Sequence, residues 1–216
     1  MSAWRILSLL LDYPDEDLLA CADELDGAAR ALPASTARAA IGSHLAHREG
    51  LAPGAIQREY VDTFDFAKSA TLYLSFHAYG DRRQRGMAML HLKQAYRDAG
   101  FALADGALPD HLPAVLEFTA LAPEAGVAVL CDLRPALEVV RAALHEEGSP
   151  YALLLDATCS LLPPLAESEL EAARQIAAAG PPSEMVGLEP FAPPEAMPPA
   201  ALPACGTAPL GAAGSR

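Results

Sequence analysis

The sequence predicts an all-α protein, a single-domain helical bundle with a disordered Pro/Ala-rich C-terminal tail, and three observations carry that expectation. Of 216 residues, 52% are apolar but only 6% aromatic, so the core must come from Leu, Ala and Val, of which Leu and Ala favour helix most strongly. No stretch alternates apolar and polar residues with the period of a half-buried strand. Proline and glycine punctuate the first 180 residues into segments of helical length. The chain is long enough for one domain with its own core and short for two.

The elements follow in order. Residues 2–11 form a short first helix. Asp15, Glu16 and Asp17 place three acids where a helix dipole favours them. They open a helix to about residue 32, with Leu18, Ala22, Leu25 and Ala29 on one stripe. A third helix spans about 35–48. Pro53, suited to a first turn, begins a fourth that carries Phe64-Asp65-Phe66. Residues 69–77 give a further helical piece, ended by Gly80. Asp81 then caps a helix that runs to Gly100, a natural C-terminal stop. Helices follow over about 110–121, 124–133, 135–146, 150–162 and 166–179. Ser149-Pro150 reads as a cap with a first-turn proline, and Pro135 is expected to kink or divide its segment.

After Gly180 the composition shifts, with nine of the 19 prolines in residues 181–216. Such a chain buries too little apolar surface to offset its conformational entropy. The expected organisation is a helical domain over 1–180, a docking segment over 181–191 that holds Met185 to Phe191, and a disordered tail over 192–216. No repeat appears at solenoid periods.

The formal charge of −13 disfavours nucleic acid and anionic membrane surfaces, both of which select for dense positive charge. It favours a basic peptide. Cys21, Cys131, Cys159 and Cys205 form no Cys-x-x-Cys clip, so they read as buried small hydrophobes in a reducing compartment. Asp12 and Pro14 interrupt the apolar start before it becomes a secretion signal, and no apolar run reaches the ~20 residues of a membrane span. A cytoplasmic protein without membrane insertion is the expectation.

The stretch from Arg58 to Phe118 holds the candidate site. Advancing ~100° per residue, Ala88, Met89, Leu92, Ala95, Tyr96 and Ala99 share one arc of the 81–100 helix. Arg85 falls inside that arc, Arg82, Lys93 and Arg97 along its edge, and Arg83 elsewhere. An arginine on an apolar face snorkels, lines a wet groove for a bound chain, or pairs internally with Asp62, Asp65 or Glu117. Tyr60, Phe64, Phe66, Tyr73, Phe76, Tyr79 and Tyr96 cluster in the same stretch, and rings beside arginines are what interaction hot spots use. The candidate partner-binding set is Tyr60, Phe64, Asp65, Tyr73, His77, Asp81, Arg82, Arg85, Met89, Leu92 and Tyr96. No nucleophile motif accompanies the histidines. His44 and His47 lack a third ligand, so no metal site is expected. The glycines at 80 and 86 are not a phosphate loop, since neither a Gly-Lys-Ser/Thr ending nor a preceding strand is present.

Asp12-Tyr13-Pro14, Tyr60-Val61-Asp62-Thr63-Phe64-Asp65, Gly80-Asp81-Arg82-Arg83-Gln84-Arg85-Gly86, Leu108-Pro109-Asp110-His111-Leu112-Pro113 and Leu116-Glu117-Phe118 together resemble one family. It is the molybdenum-cofactor assembly chaperones of membrane-bound respiratory nitrate reductase, also called its delta subunit, within the wider TorD-like redox-enzyme chaperones. The resemblance covers about residues 4–191, with Met185 to Phe191 adding to it. It implies an all-helical, non-enzymatic cytoplasmic protein. Such proteins bind the N-terminal segment of the apo catalytic (alpha) subunit and hold it back from the membrane while molybdenum bis-guanine-dinucleotide cofactor is inserted. They bind no cofactor stably themselves, and cofactor-biosynthesis proteins are candidates for further partners. Ala67 and Lys68 stand where many members of the wider group carry a proline shortly after the Phe, which fits the nitrate-reductase branch. The competing readings are a small helical ligand- or nucleotide-binding protein or enzyme using Arg82–Arg85, and a permanent structural subunit. The first differs from a chaperone in whether those arginines converge on a deep pocket or line an elongated groove.

Overall fold

Serine, aspartate and proline start most of the helices in the first third of the chain. In the computed structural model, residues 1–66, 69–79, 83–104 and 106–180 are described, all within one compact unit, Met1–Glu184. They form twelve α-helices and no β-strand. Ser2 Oγ accepts from the Arg5 N–H and opens α1 (Ala3–Leu10). Asp15 Oδ1 accepts from the Leu18 N–H at 2.8 Å and opens α2 (Glu16–Ala20). Ser35 caps α4 (Thr36–Arg48), and Pro53 sits in the first turn of α5 (Pro53–Phe64).

The helix expected from 15 to about 32 is broken. A tightened turn, Cys21 N–H to Leu18 carbonyl at 3.2 Å, ends α2 before α3 (Ala22–Arg30) begins. The break rotates Leu25 and Ala29 into the core and leaves Ala22 exposed, so the single stripe does not survive.

The helix expected over 69–77 starts late, as α6 (Leu74–Tyr79). Residues 72–74 instead pair with the loop before α8 (Leu112–Leu121). The Leu112 N–H donates to the Leu72 carbonyl at 2.9 Å, and the Leu74 N–H to that of Asp110 at 3.0 Å. This leaves one antiparallel bridge, Tyr73 to His111. The same pairing delays α8, expected from 110, until residue 112.

Helix α7 (Arg83–Asp98) ends as expected. Gly100 has φ +84°, a left-handed conformation that glycine adopts without strain. The Phe101 N–H then reaches back to the Tyr96 carbonyl at 2.9 Å. Gly80, Asp81 and Arg82 lie outside the described residues, as do Ala67, Lys68, the expected docking segment and the expected tail.

Four helices complete the described residues: α9 (Pro123–Asp132), α10 (Arg134–Glu146), α11 (Ala152–Ser160) and α12 (Glu167–Ala179). Pro135 lies in the first turn of α10, where a missing N–H costs nothing, and the chain divides just before it. Helix α11 begins two residues later than expected, because Ser149 Oγ accepts from the Tyr151 N–H in a turn ahead of it.

Helix α1 packs on α8, α4 on α11 and α10 on α12. Ile6, Leu7, Leu116, Leu137, Leu144 and Leu155 lie at the centre with no exposed surface. No described helix is long and apolar enough to cross a membrane.

Candidate functional site

Asp110 is the buried acid around which the expected site is organised. Its side chain is fully buried. Oδ2 accepts from the Ser75 hydroxyl at 2.5 Å and the Ser75 N–H at 3.2 Å, capping the first turn of α6 from a distant loop. Arg85 Nη2 reaches the same oxygen at 3.4 Å, Arg85 Nε donates to Ser75 Oγ at 3.2 Å, and the guanidinium lies 5.7 Å from the Phe76 ring centre. Arg85 is therefore internally paired, and its partner is Asp110 rather than Asp62, Asp65 or Glu117. Glu117 pairs with Arg5 across α1 and α8, and Asp62 and Asp65 are exposed. Beside the junction, Tyr73 stacks on His111 at 4.9 Å. His77 Nε2 lies 2.8 Å from the Thr71 carbonyl, and burial lowers its pKa.

The aromatic residues that cluster in sequence sort into separate groups in space. Tyr60 and Phe64 pack edge-on to Tyr151, and Tyr60 also meets Tyr13. Tyr96 stacks on Phe118 at 4.2 Å and gives its hydroxyl hydrogen to the Pro109 carbonyl. Tyr60, Phe64, Leu92 and Tyr96 are at most 6% exposed, so they belong to the core. Of the remaining candidates, Tyr73 keeps 38% of its surface, Asp65 is exposed, Met89 is half-buried, and Asp81 and Arg82 lie outside the described residues. The arc expected on the 81–100 helix is real, but it faces its own protein.

A cavity of about 700 Å³ opens elsewhere, between α2–α3 and α4–α5. Leu18, Leu19, Leu25, Leu45, Leu51 and Ile56 give it an apolar lining, and Asp23, Asp26 and Glu49 stand along it. Asp26 pairs with Arg30, also on the rim, while Arg38 donates to the Leu32 carbonyl at 2.9 Å. Asp15, Glu16, Asp17 and Glu24 extend the acidic character along the exposed side of α2–α3. Arg48 lies half-buried at the end of α4, where burial lowers its pKa against the opposing influence of Tyr151 and Glu59. The Glu59 carboxylate is engaged by His47, Nε2 to Oε1 2.8 Å. His44, three residues before His47, points inward to the Pro150 carbonyl at 3.1 Å, so the two imidazoles occupy different environments.

Sequence reasoning missed this trough because its lining comes from five helices. The legible signal was the run of acids from 15 to 26 flanking Leu18, Leu19 and Leu25.

Residues 23–155 match the nitrate reductase delta subunit family. The chain belongs to that family. Over 161 residues it is 38% identical to the nitrate reductase-like protein NarX of Mycobacterium tuberculosis, a match covering 72% of this chain and 24% of that protein. It is 36% identical over 155 residues to the nitrate reductase molybdenum cofactor assembly chaperone NarJ of Escherichia coli K12, covering 70% of this chain and 65% of that one. The probable assembly chaperone NarJ of Bacillus subtilis is 33% identical over 150 residues, covering 69% and 82% respectively. The family match runs from α3 into α11. It includes the Asp110 junction and most of the trough, and the all-α fold agrees with what the motifs implied.

Proposed function

We propose that this chain is an assembly chaperone. It takes the apo catalytic subunit of a membrane-bound respiratory nitrate reductase by an N-terminal segment and keeps it open to molybdenum-cofactor insertion before membrane attachment. Family membership supports the chaperone role, and the relatives are named for assembly rather than for a reaction. The observation that carries the binding mode is the trough. Its lining carries Arg30, Arg38 and Arg48 beside Asp23, Asp26 and Glu49, but Arg30 is paired with Asp26 and Arg38 is held by the Leu32 carbonyl. The exposed charge along α2–α3 is therefore acidic and suits a basic amphipathic helix whose apolar face enters the groove. On this reading the Asp110 junction is the scaffold that fixes α6, α7 and α8, and Asp65, Tyr73 and the half-buried Met89 are the described members of the expected set that a client can meet at the surface. The cofactor is cargo of the client.

A nucleotide site at Arg82–Arg85 gains no support. Arg83 is exposed, Arg85 is held by Asp110, and neither lines the cavity.

Calorimetry with the client's N-terminal peptide tests the proposal. The expected Kd is micromolar or tighter, about −8 kcal/mol or better. Leu51→Asp, at a position already 39% exposed, should weaken binding at least tenfold while leaving the fold intact. Absence of heat at high micromolar peptide would overturn the proposal, and binding indifferent to Leu51→Asp would move the site away from the trough.

A further inference from the structure

We infer that the outer face of α7 is a second docking surface, built for an acidic amphipathic segment of a protein partner. The inner arc of α7 is committed to the core through Leu92 and Tyr96, each 4% exposed. On the opposite arc, at ~100° per residue, Leu90, Arg83 and Met87 follow one another. Arg97, expected at the edge of the inner arc, lies beside Leu90 on this face, and Lys93 keeps its place at the edge. Met87 is 64% and Leu90 60% exposed. Arg83, Lys93 and Arg97 are exposed as well.

Single exposed apolar residues are ordinary. Here two lie three apart on one helix face, with Arg83 between them, Arg97 and Lys93 beyond Leu90, and Asp98 on the far side of Met87. The charges are the stronger argument. The chain has 28 acidic residues against 15 Lys and Arg, so a cation readily finds a partner within it. Arg5, Arg30, Arg85, Arg134, Arg141 and Arg174 have done so. Among the described residues, Arg38, Arg48, Arg58, Arg83, Lys93 and Arg97 have no ion-pair partner. Arg38 is held by the Leu32 carbonyl and Arg48 is half-buried, and of the other four, Arg83, Lys93 and Arg97 share the outer part of α7. The face is thus a local reversal of the protein's charge with apolar surface at its centre. Its complement is a helix with an apolar stripe flanked by carboxylates, which arginine receives in a forked, two-bond geometry. The −13 charge opposes every anion, and it opposes nucleic acid and anionic lipid surfaces most because they carry far denser charge than one peptide helix. Nucleic acid also offers no apolar stripe for Met87 and Leu90.

This surface goes beyond the trough, whose acidic wall selects the opposite charge, so the two can be separated. Two fluorescein-labelled peptides of about five helical turns would serve as probes. Both carry Leu at i, i+3, i+4 and i+7; one has Glu and the other Lys at the remaining positions. The Glu peptide should bind the full chain and weaken as salt rises. Arg83→Glu/Lys93→Glu/Arg97→Glu should reduce its affinity at least tenfold, as should Met87→Ser/Leu90→Ser, with melting temperatures unchanged because these side chains are exposed. Leu51→Asp should not affect it. The Lys peptide should show the reverse pattern. A Glu peptide that does not bind, or binds both α7 variants like wild type, overturns the inference. So does flotation with phosphatidylglycerol vesicles that the triple variant abolishes while the Glu peptide stays unbound, since α7 would then be a lipid surface. Loss of Lys-peptide binding alone would count against the trough and leave α7 standing.

Discussion

Arg85 and Asp110 form the ion pair whose removal has the most legible outcome. The carboxylate is fully buried while the guanidinium keeps 20% of its surface, so water can reach only one partner. Arg85→Ala leaves the acid with Ser75 alone and opens the joint between α6, α7 and the loop before α8. We expect a loss of about 3 kcal/mol, the lower end for a broken buried pair, because Ser75 still donates twice to Asp110. Arg83→Ala, on the exposed face, should change stability by no more than about 0.5 kcal/mol. Urea melts of both variants check this, and peptide affinity for the trough should be unchanged in Arg85→Ala. A stable Arg85→Ala that loses peptide binding would restore the groove-lining role. The helix face on which Arg85 sits was legible from spacing alone. Its partner was not, since Asp110 is 25 residues away and comes within reach only because residues 72–74 pair with 110–112.

At the level of elements, the approach of α8 and α9 depends on one missing side chain. A Cβ built on Gly126 would lie 2.3 Å from Thr119 Cα and 2.5 Å from its Oγ1, and the nearer of these is backbone that cannot swing aside. Gly in a helix interior is about 1 kcal/mol less favourable than Ala. Gly126→Ala should nevertheless destabilise the fold by roughly 2–3 kcal/mol or more, because overpacking forces the two helices apart. Gly42→Ala in α4, where nothing lies within 4 Å, is the matched substitution and should be neutral or stabilising. Denaturation midpoints that moved equally for both would refute the packing account. The pattern marks how far helix reading goes. Pro53, Gly100 and Ser35 set boundaries through local chemistry and were read correctly, whereas the break at Cys21 and the late start of α6 are imposed by contacts far away in sequence. The close approach at Gly126 gives no local signal either. The trough is of the same kind, a property of how five helices meet.

For the molecule as a whole, the response to acid should come in two stages. His44 is fully buried between α4 and α11, its ring 5.0 Å from that of Tyr151. Burial pushes its pKa down to about 4; the hydrogen bond to the Pro150 carbonyl opposes this, and Arg48 and His47 reinforce it. An unfolded histidine titrates near 6.5, so between about pH 6.5 and 4 the unfolded chain binds the extra proton. Stability from this residue is therefore complete above pH 6.5 and declines as pH falls to 4, by roughly 3 kcal/mol in all. Glu138 and Asp156 act lower. Burial raises both, but hydrogen bonds from Arg141 and Arg134 to Glu138, and from His145 and Arg141 to Asp156, leave each below its ordinary value. What they add is present above their ordinary values of 4.5 and 3.8 and disappears only as pH falls through the depressed folded ones. Protonation of surface acids also shrinks the −13 charge and its self-repulsion, which works against both losses without removing the His44 step. His44→Asn keeps a donor for the Pro150 carbonyl and cannot take up a proton in this range. Urea midpoints measured from pH 7.5 to 3 should slope downward below 6.5 in wild type and clearly less steeply in His44→Asn, where His77 and His111, also held below the ordinary histidine value by burial, still contribute. An unchanged slope in the variant would place the acid response elsewhere in the fold.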